Sequence, residues 1–197
     1  MTSSNSDAQR QAAAPTHLRN GGVSVVFTPD VFGVPAVAHW GAALDDADIP
    51  GLLATATPAV MNSSLDIPRS FSIAAGRAHG WSGTPAIEAH AADAVIDGFS
   101  LVEAAHDGAE VRFVLRDAAA TVEATFHYVL DAAGLLRATI ALANTTTDRR
   151  VDITAARSLL PLPARAAEIV DFTGRWTHER QPQLRREVGR ASCRERV

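Results

Sequence analysis

A series of segments between Phe99 and Leu160 comes in sequence, FSLVEAA, EVRFVLRD, TVEATFHYVLD, LLRATIALAN and RVDITAARSLL, and several of them alternate apolar and polar residues well. In the third, Val122, Ala124, Phe126, Tyr128 and Leu130 share one face, while Glu123, Thr125 and His127 share the other. A period of two places alternate side chains on opposite faces of a pleated strand. Val111, Phe113 and Leu115 oppose Arg112 and Arg116 in the same way. HDG at His106, DAAG at Asp131 and NTTTD at Asn144 supply turn residues between the segments. Such short connections join antiparallel neighbours, because a parallel pair needs a crossover of a dozen residues or more. The pattern therefore predicts an all-β chain built on an antiparallel meander.

The N-terminal part predicts a hairpin. VSVVF (23–27) is a β-branched run, TPDVFG a turn, and VPAVAHW (34–40) the returning strand, ended by Gly41. Trp40 is expected in the core and His39 in a structural role. Asp45, Asp46 and Asp48 lack the glycine and later glutamate of a calcium loop and read as a solvated turn. GLLATA (51–56) suits a short helix, and residues 63–77 carry few signals. The first 20 residues are polar and Ala/Ser-rich and are expected to be a disordered lead, with the β-domain spanning 21–188.

Composition excludes several classes. Net charge is −4 and every basic residue is arginine, scattered except at the C-terminal end, which argues against nucleic-acid binding. No apolar run can span a bilayer and no signal-peptide core is present. The one cysteine, Cys193, has no partner for an internal disulfide. These features predict a soluble cytoplasmic protein. No phosphate loop or metal-ligand cluster is visible, and no metal or cofactor is expected. GRASCRERV (189–197) breaks the composition and resembles a translated sequencing adapter, so it is set apart from the fold. A genuine basic tail is the alternative.

The segment Leu159–Gln183 reads LLPLPARAAEIVDFTGRWTHERQPQ. Pro161 and Pro163 should end strand pairing. A short helical run is expected over Ala164–Val170. A turn follows at DFTGRW, with Gly174 in a backbone shape other residues resist and Phe172 and Trp176 as buried anchors. The pattern LPLP, then Ala167, Glu168, Asp171, Phe172, Thr173, Gly174, Arg175 and Trp176, then Glu179, Arg180, Pro182 and Gln183, resembles the N-terminal β-domain of glycoside hydrolase family 36, the α-galactosidase family. Ala38, His39, Trp40, Gly41 and Leu44 are similar to that family's LHWG motif. In AHGWSGTPAI (78–87), Trp81 and the Pro85-Ala86 step match a family loop that reaches the sugar, although Gly80 and Ser82 stand near the places of its acidic and arginine residues.

The resemblance implies an incomplete β-supersandwich of the galactose-mutarotase-like type, covering somewhat more than half of that domain. It implies retaining hydrolysis of terminal α-D-galactosides in a whole enzyme, where two carboxylates about 5–5.5 Å apart sit on a C-terminal (β/α)8 barrel. That barrel is the missing partner of this segment. Homo-oligomers with β-domain contacts are implied as well. Trp81 is the implied sugar-stacking residue, with loop packing as its alternative. No Asp or Glu here is assignable as nucleophile or acid, so the segment alone is expected to be inactive. A non-catalytic carbohydrate-binding or interaction sandwich remains the other reading. A mutarotase-type epimerase would need a Glu–His pair, for which Glu123 and His127 are the available residues.

Overall fold

The computed structural model describes residues 14–56, 72–92, 94–162 and 167–186. It divides into two compact units, residues 1–161 and 162–197.

The first unit opens with a three-stranded antiparallel sheet of β1 (Thr16–Asn20), β2 (Val23–Pro29) and β3 (Pro35–Ala42). The hairpin expected over 23–40 is β2 and β3, paired from Val23↔Ala42 to Pro29↔Pro35. Of the disordered lead expected over residues 1–20, Thr16–Asn20 form a strand instead, and residues 1–13 lie outside the described residues. Thr16–Asn20 pair with Phe27–Val23, and Leu18 is fully buried, so one apolar side chain and a ladder of backbone bonds hold this polar segment in place. The helix α1 (Ile49–Ala56) contains the expected GLLATA. The aspartates before it face solvent but are paired: Asp45 with Arg19 at 2.6 Å and Asp46 with His17 at 2.6 Å.

The expected meander is a four-stranded sheet in the order β6 (Ser100–Asp107), β7 (Glu110–Arg116), β8 (Val122–Leu130) and β9 (Leu136–Asn144). Burial along β8 alternates without a break, and its inner residues are those the period of two selects. The last alternating segment leaves this sheet. Its strand β10 (Asp152–Ala156) pairs instead with β4 (Ile87–Ala91), which also pairs with β5 (Ala94–Ile96). Arg157 fastens that crossing, because its guanidinium donates to Glu88 at 2.5 Å and its backbone N–H to Ala86 O at 2.7 Å.

The core lies between the first sheet and the meander. Phe27 of β2 meets Phe113 of β7 edge-on at 5.3 Å and Tyr128 of β8 at 4.9 Å. All three are buried, together with Leu18, Val25, Leu115, Phe126 and Leu130. On the outer face of the meander, charges pair across strands: Arg112 with Glu103, Arg116 with Glu123 and His127 with Glu110.

The turn between β7 and β8 is held by a buried carboxylate. Asp117, 5% exposed, accepts the backbone N–H groups of Thr121 at 2.7 Å, Val122 at 2.6 Å and Ala119 at 2.9 Å. Asp117→Ala leaves these donors without their acceptor and is expected to cost on the order of 3 kcal/mol in a urea melt, with Asp117→Asn recovering part of the loss.

The second unit is a hairpin of β11 (Glu168–Arg175) and β12 (His178–Arg186). The helical run expected over 164–170 is overturned where it is described: Glu168, Ile169 and Val170 pair with Arg186, Arg185 and Leu184. Cross-strand partners decide the conformation there, whereas Ala content suggested a helix. The turn falls at Trp176-Thr177, later than DFTGRW suggests, and the left-handed positions are Thr177 and Arg180. Gly174 instead interrupts the register between Thr173 and Arg175, and a Cβ there would stand 3.1 Å from the Cα of Glu179. Glycine thus permits close approach of the two strands. Phe172 and Trp176, expected as buried anchors, are 66% and 89% exposed, since a two-stranded hairpin has no second layer of its own.

Candidate functional site: an aromatic notch between two loops

The backbone of residues 72–75 runs beside the start of β3. Ser72 bridges Ala36, and the Ile73 N–H donates to Pro35 O at 2.9 Å. From there the chain makes a closed loop, tied at its base by the Ala86 N–H to Ala75 O at 3.0 Å. A short 3-10 turn, Arg77–His79, ends at Gly80, whose φ of 73° favours glycine. Asp97 anchors the turn by accepting the Ala78 N–H at 3.0 Å, and it packs against Gly76, where a Cβ would lie 2.0 Å from its Oδ1.

Trp81 sits on this loop with its indole in a defined place. Its Nε1–H donates to Thr84 O at 3.0 Å. The ring edge lies over Gly83, where a Cβ would come within 2.9 Å of Nε1. The polar atom of the ring is therefore spent on the loop, and what Trp81 offers outward is its apolar surface. Gly83→Ala is expected to push the indole off this seat. The check is the indole N–H resonance of Trp81, which should move while those of Trp40 and Trp176 stay in place.

The turn between β2 and β3 faces the same notch. Asp30 Oδ1 accepts the N–H groups of Phe32 at 2.8 Å and Val34 at 2.9 Å, and Gly33 takes a φ of 78°. This turn presents Phe32, which stacks on His79 with ring centroids 4.6 Å apart and planes 16° from parallel. Asp30, Val31, Phe32, Ser72, Ala75, His79 and Trp81 line a small notch of about 20 Å³. The Nδ1 of His79 is buried and lacks a hydrogen-bond partner.

Of the residues the family motifs single out, Trp81 alone lines the notch. Phe32 was missed, whereas His79, like His90, flanks the sugar-reaching loop in the sequence as a polar residue that could contact a sugar. An apolar ring at the tip of a glycine turn was the available signal for Phe32. His39, Trp40 and Gly41 serve β3: the His39 Nε2–H donates to Ala42 O at 3.0 Å, its ring folds over Gly41, and Trp40 packs half-buried on the core. Asp171, Phe172, Gly174, Arg175 and Trp176 belong to the hairpin unit, where Asp171 pairs with Arg185. Glu123 and His127 engage Arg116 and Glu110 rather than converging. An Asp46–His17–Ser24 chain exists, with His17 Nε2 2.8 Å from Ser24 Oγ. Ser24 is fully buried and accepts the Leu44 N–H, so this chain pins a loop and exposes no nucleophile.

Solved structures share the fold. A GH36 alpha-galactosidase, AgaA from Geobacillus stearothermophilus, superimposes with a TM-score of 0.70 at 19% identity, over 88% of this chain and 28% of that one. AgaB from the same organism gives 0.63 at 18%, over 87% of this chain and 27% of that one. At these identities the likeness defines the architecture alone, an antiparallel β-sandwich domain. Residues 33–195 match the model of the Glycosyl hydrolase family 36 N-terminal domain. An alpha-galactosidase of Escherichia coli is 31% identical over 149 residues, covering 74% of this chain. The chain belongs to glycoside hydrolase family 36, in its N-terminal domain. It spans 20% of the length of the Escherichia coli relative. Among the described residues no helix is long and apolar enough to cross a membrane.

Proposed function

We propose that this chain is the N-terminal β-domain of a cytoplasmic α-galactosidase, and that it lends Trp81 to the sugar site of a retaining enzyme. The family match carries this reading. The placement of Trp81 supports it: a flat apolar ring, held at its polar edge, suits the C–H face of a galactoside. The neighbouring carboxylates Asp30 and Asp97 are bound to backbone N–H groups and shape loops. Nucleophile and acid/base then come from a (β/α)8 barrel outside this segment. AgaA is known in complex with raffinose and with stachyose, and terminal α-galactosides of that type are the proposed substrates. The exposed Phe172, Trp176 and Leu184 suit contacts with the rest of a longer, homo-oligomeric protein.

The test replaces the matching region of the Escherichia coli relative with this chain. The chimera should hydrolyse a chromogenic α-galactoside, and the 197-residue chain alone should not. Trp81→Ala in the chimera should lower kcat/KM by ~10-fold, the loss of about 1.4 kcal/mol of transition-state binding. Turnover by the isolated chain, or an unchanged rate in Trp81→Ala, contradicts the proposal. Sugar binding by the chain in the absence of any chimera activity favours a carbohydrate-binding module.

A further inference from the structure

We propose that Asn20 is a site of spontaneous deamidation, closing a succinimide on the Gly21 nitrogen, and that its conversion loosens the seam between the β1–β2 turn and the β8–β9 turn. The sugar-site reading plays no part in this chemistry.

Of the chain's four asparagines, Asn20 alone precedes a glycine. It ends β1, and the pair Asn20↔Val23 closes a two-residue turn of Gly21 and Gly22, at φ 54° and 75°. The Gly21 N–H lies outside the ladder and donates to the Oδ1 of Asn20 at 3.0 Å. That bond sets the backbone nitrogen against the side-chain amide, and glycine has no side chain to obstruct an approach to Cγ. Gly21 and Gly22 are exposed, so water and hydroxide reach the turn.

Hydroxide takes the Gly21 amide proton, and the nitrogen attacks Cγ of Asn20. The N–Cγ bond forms, the Cγ–Nδ2 bond breaks, and ammonia leaves with a proton from water. Water then opens the five-membered imide on either side of that nitrogen. Cleavage of the bond to Cγ gives aspartate, and cleavage of the bond to the backbone carbonyl carbon gives isoaspartate. Asn144 is the contrasting case. Thr145 follows it, and its Oδ1 accepts the Thr146 N–H at 2.9 Å, two residues on.

Conversion removes a tie between the first sheet and the meander. The Nδ2 of Asn20 donates to the carbonyl of Leu130, the last residue of β8, at 3.0 Å. Aspartate puts a carboxylate oxygen in that place, so acceptor faces acceptor. Isoaspartate instead lengthens the main chain by a methylene beside Gly21, where a Cβ would already stand 2.3 Å from Gly134 N. Both products work against the same seam.

The experiment incubates the folded 197-residue chain in mildly alkaline heavy-oxygen water beside a free peptide of residues 16–25, and maps both by mass spectrometry. Asn20 should take up one heavy oxygen and give aspartyl and isoaspartyl products at a rate comparable to the peptide's, while Asn144 stays intact. Separately, Asn20→Asp should melt about 2–4 °C below the unaltered chain at neutral pH. That gap should close as pH falls through the ordinary carboxylate range, where the protonated carboxyl regains an O–H donor for Leu130. The proposal is overturned if Asn20 is intact in the folded chain once the peptide has converted, if Asn20→Asp melts with the unaltered chain, or if the gap persists in acid.

Discussion

Phe27→Ala is expected to destabilise the fold by about 3–5 kcal/mol, the range for removing a buried phenylalanine. Phe27 is 1% exposed and stands where the first sheet meets the meander, in contact with Phe113 and Tyr128. Its removal empties the centre of the sandwich and breaks two aromatic contacts together. The rings left behind sit on strands paired along their whole length, so they cannot collapse into the space cheaply. Urea denaturation followed by circular dichroism should show the midpoint moving sharply lower. Phe32→Ala removes the same atoms from a 43% exposed site and should change stability by under about 1 kcal/mol. Equal effects at the two positions would mean that the sheets do not pack through Phe27.

The second large effect is alkaline. Burial pushes the phenol of Tyr128 well above its ordinary value, and the nearby Ser158 hydroxyl offsets part of the rise. Even so, no partner stands in ordinary hydrogen-bonding geometry at the Tyr128 hydroxyl. An unfolded tyrosine titrates near pH 10. Above that point the unfolded chain releases a proton that the folded chain keeps, so stability falls as pH rises, by about 1.4 kcal/mol per unit. Below it, Tyr128 contributes no pH dependence. The range is chemically simple, since the basic side chains are arginines, which stay charged, and Tyr128 is the sole tyrosine. The phenolate absorbance should therefore appear together with unfolding. Tyr128→Phe should remove the slope and raise stability at neutral pH by about 1–2 kcal/mol, because it deletes a buried hydroxyl without a partner. A phenolate that forms while the fold is intact would refute this account.

Much of the meander was legible in the sequence. Strands β7 and β8 alternate so regularly that Val111, Phe113, Leu115, Phe126, Tyr128 and Leu130 could be assigned to the core. Period and turn residues are local properties, and a strand with one wet face displays them openly. The β2–β3 hairpin was legible for the same reason. Strand β1 was not, since in THLRN only Leu18 is strongly apolar and the rest is held by backbone pairing to β2. Residues 168–170 misled in the opposite direction: a composition that tolerates a helix became a strand once β12 supplied its partners.

The candidate site divides in the same way. The motifs in AHGWSGTPAI and DFTGRW, together with LHWG-like residues, sufficed to place the chain near its family and to single out Trp81. What the sequence by itself determined was therefore the all-β class, the order of the strands in the meander, the hairpin before it and the family. The tertiary structure alone decided that β10 leaves the meander for β4, that Phe27 joins the sheets, and that Phe32 comes to lie on His79 beside Trp81. Each of these contacts joins residues far apart in the chain. Their choice depends on which strand faces which across the core, and periodicity carries no record of that.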